Sequence, residues 1–319
     1  MALHITPMTG RRMKRRTLFA NGFGVAVAAG LSATALPALA ARSRPGINTL
    51  TVEAVQMPAW INKAGQRVPL SPGDAVTTAQ EVETAPGAAL VLKMPEGSIV
   101  RLGEKTRLGV QRLEVDPSGG YTAVRSELKL FNGFFRFATT AVAKAVGQRE
   151  IDLNLRTATI GIRGTDFWSM TDEQHDATCL FEGKVDLATR DQGALTLDKP
   201  TAFWARFFDR PVQPVGNATP DELNKFLKST EIQPGKGVAV AGGRWRVVAA
   251  TAPTASAAAE LAAMLQAQGY PAVVRSKTIA GKLVHEVRVN GFATRDDAAA
   301  ILEKVTAMNG VNGRVALSA

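Results

Sequence analysis

From about residue 50 to 204, apolar and polar positions alternate over short stretches. Leu90, Leu92 and Met94 form one set; Ile151, Leu153 and Leu155 another; Ala158, Ile160 and Ile162 a third. A period of two sends one set of side chains to a core and the other to water, which predicts strands. Turn signals punctuate them: Pro72-Gly73-Asp74, Pro95-Glu96-Gly97, Pro117-Ser118-Gly119-Gly120, Asn132-Gly133, Glu182-Gly183-Lys184 and Asp191-Gln192-Gly193. Short strands at roughly 8–12-residue spacing predict an all-β domain, a sandwich or roll, which we place over residues 47–205. The alanines, Val142 and Val146 of residues 138–147 break the alternation and predict a helical interruption.

The pattern changes twice more. Residues 206–243 read as a linker rich in proline and glycine. Within it Thr219-Pro220-Asp221-Glu222 supplies an N-cap, a first-turn proline and a capping-box acid. Leu223, Phe226 and Leu227 follow as one apolar stripe, so a short helix docked on the β domain is predicted. Residues 244–319 then alternate strand and helix periods. Strands are predicted over 245–250, 271–275, 284–290 and 313–317. One helix spans 256–268 and stops at Gly269; a second opens on Thr294-Arg295-Asp296-Asp297 and carries Ala298, Ile301, Leu302, Val305 and Met308 on one stripe. The order βαββαβ predicts an α+β, ferredoxin-like split βαβ module, with both helices on one sheet face and the other face bare. Period two then assigns Val247, Ala249, Val287 and Val289 to the helices. Arg246, Val248, Ala250, Glu286, Arg288 and Asn290 are assigned to solvent.

Composition and charge sharpen the picture. The chain has 319 residues, enough for two folded domains at roughly 100–200 residues each. Hydrophobic residues make up 45% and charged residues 21%, which excludes wholesale disorder. Residues 1–40 hold Arg11, Arg12, Lys14, Arg15 and Arg16, an apolar run and the small-x-small site Ala38-Leu39-Ala40. That is the plan of a cleavable signal peptide, with Arg15-Arg16 similar to the twin-arginine motif; export by the Tat or the Sec route and a periplasmic location are expected. With Asn21 and its small residues, the run is weakly apolar for a stable span, so no transmembrane anchor is expected after cleavage. The net charge is +10; without the leader's five cations, 33 basic residues face 28 acidic ones, which leaves +5. Half of the basic excess is therefore a targeting signal, and no nucleic-acid partner is expected.

Little in the chain points to catalysis. One cysteine, Cys179, and three histidines exclude a disulfide framework and a Cys- or His-based metal site, so no cofactor or metal is expected. Gly-x-Ser-x-Gly, His-Glu-x-x-His and Gly-x-x-x-x-Gly-Lys are absent, and a non-catalytic protein is expected. The remaining enzymatic alternative is a carboxylate pair drawn from acids such as Asp166 and Glu182. Phe131, Phe134, Phe135 and Phe137, with Trp60, Trp168 and Trp204, are assigned to cores in preference to a sugar platform.

Trp245-Arg246-Val247-Val248, residues 261–274 and Glu286-Val287-Arg288-Val289-Asn290-Gly291-Phe292 resemble the SPOR domain, a module of the bacterial envelope that binds peptidoglycan glycan strands stripped of stem peptides. The resemblance implies a glycan-binding sheet face, with Arg246, Val248, Glu286, Arg288, Asn290 and Phe292 as candidate contacts. The family usually has Gln at Val248, Gly and Phe at Ala250 and Ala252, and Arg at Glu286. These departures motivate an alternative, an envelope signalling or assembly adaptor with protein partners. Leu70-x-x-Gly73-Asp74-x-Val76, Met94-Pro95-Glu96-Gly97-Ser98, residues 160–167 and residues 181–185 are similar to the secreted β domain of FecR-type proteins. That implies an envelope domain which binds or senses a partner, a septal protein being one option. The FecR relay to a sigma factor is not carried over, because only the leader precedes the β domain. Arg163-Gly164-Thr165, the centre of the strongest match, is read as structural: Arg163 tying two turns, Gly164 at a backbone position closed to side chains.

Overall fold

The computed structural model describes residues 46–116, 123–145, 148–308 and 310–318. The leader and the turn at 117–120 lie outside these residues. The alternating region begins with β1 (Leu50–Gln56), β2 (Ala59–Lys63), β3 (Gln66–Pro69), β4 (Ala75–Val76) and β5 (Gln80–Thr84). It continues through β6 (Ala89–Lys93), β7 (Ile99–Leu102), β8 (Arg107–Asp116) and β9 (Ala123–Ala138). The expected interruption is a short helix, α1 (Ala141–Ala145). Then come β10 (Arg149–Asn154), β11 (Ala158–Ile162), β12 (Asp166–Thr171), β13 (His175–Glu182), β14 (Val185–Thr189), β15 (Gly193–Leu197) and β16 (Ala202–Phe207).

These strands form two sheets. One runs β1-β6-β7-β9-β12-β13-β16 and the other β3-β2-β5-β8-β9-β10-β11-β14-β15. All pairings are antiparallel except β9 with β10. β9 belongs to both sheets: its first part pairs with β8 and β10, and its last six residues pair with β7 and β12. Asn132-Gly133, expected as a turn, is the bend at which β9 changes sheet. Gly133 has φ +96°, and a Cβ there would stand 2.3 Å from Thr106 Oγ1 and 2.5 Å from its Cα. Only glycine permits that approach. Between the sheets lies an apolar core that includes Leu50, Leu92, Leu128, Phe135, Phe137, Phe167 and Trp204, all buried.

The linker contributes β17 (Gly216–Asn217), α2 (Pro220–Ser229) and β18 (Val238–Val240). Thr219 caps α2 in a complete capping box with Glu222. α2 docks as expected, through Phe226 stacked 4.1 Å from the ring of Trp168 and through Leu223. β18 pairs with β1 on one edge, and its Ala239 pairs with Phe292 on the other.

The C-terminal module has β19 (Trp245–Ala252), α3 (Ala255–Ala267), β20 (Val273–Ile279), β21 (Lys282–Phe292), α4 (Arg295–Thr306) and β22 (Arg314–Leu317). Its antiparallel sheet is ordered β22-β19-β21-β20. Thr254 and Thr294 cap the two helices, and Gly269 follows α3 at φ +84°. Both helices pack on Val247, Val287 and Val289, through Ala258, Ala262 and Leu265 of α3 and Ala298, Ile301 and Val305 of α4.

Candidate functional site

Strand register decides what lies on the helix-free side of that sheet. With Val287 and Val289 turned to the helices, Glu286, Arg288 and Asn290 project the other way, as do Arg246 and Val248 from β19. Cross-strand partners share a face. Register therefore adds Arg275, opposite Glu286, and Arg314, opposite Val248.

One carboxylate organises this face. Glu286 Oε2 accepts from Arg288 Nε at 2.8 Å and sits 2.6 Å from Arg288 Nη2. Oε1 takes Lys277 Nζ at 2.6 Å and Arg314 Nη2 at 2.7 Å. The cations come from β20, β21 and β22; Arg314 reaches past Val248 of β19 to make its bond. A carboxylate has about four lone-pair sites, and here two donors fall on each oxygen. Glu286 is therefore 0% exposed, roofed by side-chain arms and saturated as an acceptor. Burial alone would raise its pKa, but hydrogen bonds from Lys277, Arg288 and Arg314 outweigh that and hold the carboxyl at about 2. The unused donors of three cations point away from a single acid. Such a surface suits acceptors: hydroxyls and carboxylates.

Several sequence expectations need correction. Val248 was expected in solvent but is 1% exposed, flanked in register by Arg288 and Arg314. Glu286 is buried for the same reason and offers no acceptor to a ligand. Ala250 is half-buried because β19 bulges at Ala249, which sets Ala250 opposite Val287 on the helix side and Thr251 opposite Glu286. Phe292 is a core residue opposite Trp245, so its ring is closed to a ligand. Arg288 is half-buried and Asn290 exposed on the face. Arg246 is half-buried, with a buried Nε that lacks a hydrogen-bond partner. Sequence reasoning missed Lys277 and Arg314. β20 runs four residues beyond its expected end at Arg275, and register across β22 was the signal for Arg314.

Residues 80–186 match the family model described as FecR protein, and residues 241–315 match the one described as SPOR domain. The chain joins a FecR region to a SPOR domain. No curated protein matches it. Two crystal structures of a proposed anti-sigma factor from Parabacteroides distasonis ATCC 8503 are similar at 14% and 13% identity. They cover 64% of this chain and 96% and 97% of theirs, with TM-scores of 0.36 and 0.34, a likeness too weak to carry an argument.

Within the FecR region, the two turns around residues 164 and 183 are tied by Thr165, not by Arg163. Thr165 Oγ1 donates to Glu182 O, and Thr165 N donates to Thr139 Oγ1 at 3.1 Å. Gly164 has φ +98°, and a Cβ on Gly183 would lie 2.5 Å from Gly164 O, so both turns are closed to side chains. Arg163 instead points to solvent and lies 3.6 Å from Asp186. Asp166 and Glu182 are cross-strand neighbours, yet each is held by a cation: Arg136 grips Asp166 at 2.9 and 2.7 Å, and Lys144 meets Glu182 at 3.0 Å. Cys179 is buried, and burial pushes its thiol up to about 12, with Glu222 adding to the shift. Phe135, Phe137, Trp60, Trp168 and Trp204 are buried, as expected, and Phe134 stacks on Trp168. Phe131 is half-buried beneath Arg107 and Lys129. Among the described residues there is no metal-holding cluster and no helix long and apolar enough to cross a membrane.

Proposed function

We propose that this is a non-catalytic periplasmic protein that binds peptidoglycan glycan strands lacking stem peptides through its SPOR domain. Its FecR region binds or senses a partner at the envelope. The observation that carries the reading is the cation platform of Lys277, Arg288 and Arg314 on the helix-free face of the SPOR sheet. A stripped muramyl unit keeps a lactyl carboxylate and several hydroxyls, the acceptors such donors take. In this reading Arg246, Arg288 and Asn290 remain candidate contacts, and Glu286 is a positioning residue that aims the cations. The test is sedimentation of the full chain with purified sacculi before and after amidase treatment. Enrichment that rises on amidase treatment and falls in Lys277→Gln/Arg314→Gln supports it; pelleting no better than a control protein refutes it.

A second reading is an adaptor that contacts proteins. It is favoured by the β20–β21 hairpin, whose tip exposes Ile279 and Leu283 beside the cation platform. Crosslinking in intact cells separates the two readings: adducts with one protein and none with murein would replace the first with the second. Enrichment of a fluorescent fusion at the division site would place the partner at the septum.

A further inference from the structure

Away from the SPOR face, a cleft of about 540 Å³ opens where the FecR region, the linker and α4 meet. Its walls are fixed by hydrogen bonds. Gln56 Nε2 donates to Gly87 O at 2.7 Å, and Gln56 Oε1 accepts from Gln233 N at 2.8 Å, which joins linker to β body. Ser229 Oγ donates to Phe226 O at 2.7 Å and accepts from Trp168 Nε1 at 2.9 Å. Three lysines line the cleft: Lys228 at the end of α2, Lys236 in the linker and Lys304 on α4. None of the three forms an ion pair among the described residues.

Two acids share these walls. Glu104 Oε2 accepts from Gly87 N at 2.7 Å, and Glu231 lies close enough to Arg136 to stabilise its charge. Desolvation, and then the charge of Lys236, push the Lys304 ammonium below the ordinary lysine value. The fold thus brings two like charges together, and the charge of Glu303, next to Lys304 on α4, offsets them only in part. Three lysines against two acids leave the cleft walls net positive, which an anion would complement.

We propose that this cleft is a binding site for a doubly charged phosphoryl group, held between Lys236 and Lys304 with Lys228 as a further donor. Lysine binds phosphate as a compact point charge with three donors. A phosphomonoester carries close to two charges at neutral pH, enough to satisfy both lysines, which a single carboxylate is not. The cleft is larger than a bare phosphate needs, and Phe134, Ala88 and Ala89 give it an apolar wall for the rest of a phosphorylated sugar.

Isothermal titration of the full chain at pH 7.5 and fixed ionic strength tests this, with inorganic phosphate, glucose 1-phosphate and glucose as probes. Saturable binding of either phosphate, weakened about tenfold or more in Lys236→Gln/Lys304→Gln and unchanged in Lys282→Gln, supports the site. Tighter binding of glucose 1-phosphate identifies the sugar ester as the ligand class; equal binding identifies free phosphate. No saturable binding overturns the site, as do equal losses in both variants or the same response to chloride. A readout independent of any variant is the Lys304 side-chain titration by NMR. Phosphate should raise its pKa toward the ordinary value, and an unmoved titration sinks the proposal even if the double variant fails to fold.

Discussion

At the scale of single residues, Glu286 shows how a charge becomes part of a surface. Its carboxylate is roofed by one layer of cationic arms, of which Lys277 is 36% and Arg314 55% exposed. Solvent therefore screens part of each bond, and the group contributes about 1–2 kcal/mol at neutral pH, less than a fully buried pair would. The folded-state pKa, about 2, lies below the ordinary 4.5, so the contribution is complete above pH 4.5. It declines as pH falls from there toward 2. Chemical denaturation from pH 7 to 2.5 should show this loss, and Glu286→Gln should flatten that portion of the curve. An unchanged pH dependence in the variant would show that the ion-pair cluster contributes nothing. Alternation along β21 correctly assigned Glu286 to the helix-free side. Its burial was not legible, because the roof is made of long side chains from three strands and not of backbone or apolar neighbours. The same roof covers Val248, where the family usually has a glutamine; an apolar stem suits the space between Arg288 and Arg314 better than another donor would.

At the scale of elements, local chemistry was the most readable part of the chain. α2 begins at Pro220, after the Thr219–Glu222 box, because residue type and spacing alone satisfy its first amides. In the SPOR domain Thr294 and Gly269 mark the start of α4 and the end of α3 in the same way, while Thr254, the cap of α3, was not read. Two features escaped for the opposite reason, that their cause lies in a distant segment. The β19 bulge at Ala249 is set by pairing with β21, 40 residues on, and reassigns Ala250. Asn132-Gly133 carries a hairpin signature, yet it sits inside a 16-residue strand. What selects glycine there is the backbone of Thr106, whose Oγ1 also accepts from Phe134 N at 2.9 Å. Gly133→Ala should thus strain φ and force the two segments apart at once, costing about 2–4 kcal/mol. Equilibrium denaturation measures it. A cost under about 0.5 kcal/mol, the range of an ordinary surface change, would mean that β9 does not depend on this corner.

At the scale of the whole molecule, the FecR region and the SPOR domain share more than a tether. β18 pairs Ala54–Gln56 of β1 with Val238–Val240, and Ala239 also faces Phe292 at the end of β21. One short strand thereby makes the SPOR sheet continuous with a FecR sheet. Asp297, in the first turn of α4, holds the approach to that strand. Its Oδ1 accepts from Gly235 N at 2.7 Å, Gly237 N at 3.2 Å and Val238 N at 3.0 Å, and its Oδ2 from Thr294 Oγ1 at 2.6 Å. The sequence reading placed residues 206–243 in a linker and used Asp297 only as a helix cap. The second use was invisible because the three amides are about 60 residues away and two of them belong to glycines. A strand paired on both edges has no place for a residue without an N–H, so Ala239→Pro should remove a ladder bond and break the continuity. The wild-type chain should unfold in one calorimetric transition, since loss of either sheet exposes the edge of the other. In Ala239→Pro the transition should divide in two, with the SPOR domain melting first because its core is the smaller. Sacculus binding by the variant at low temperature should persist, since Ala239 pairs with the platform strands only at Phe292, the last residue of β21, beyond Glu286 and Arg288. A single unshifted transition in the variant would show that the two modules are coupled by something other than this strand.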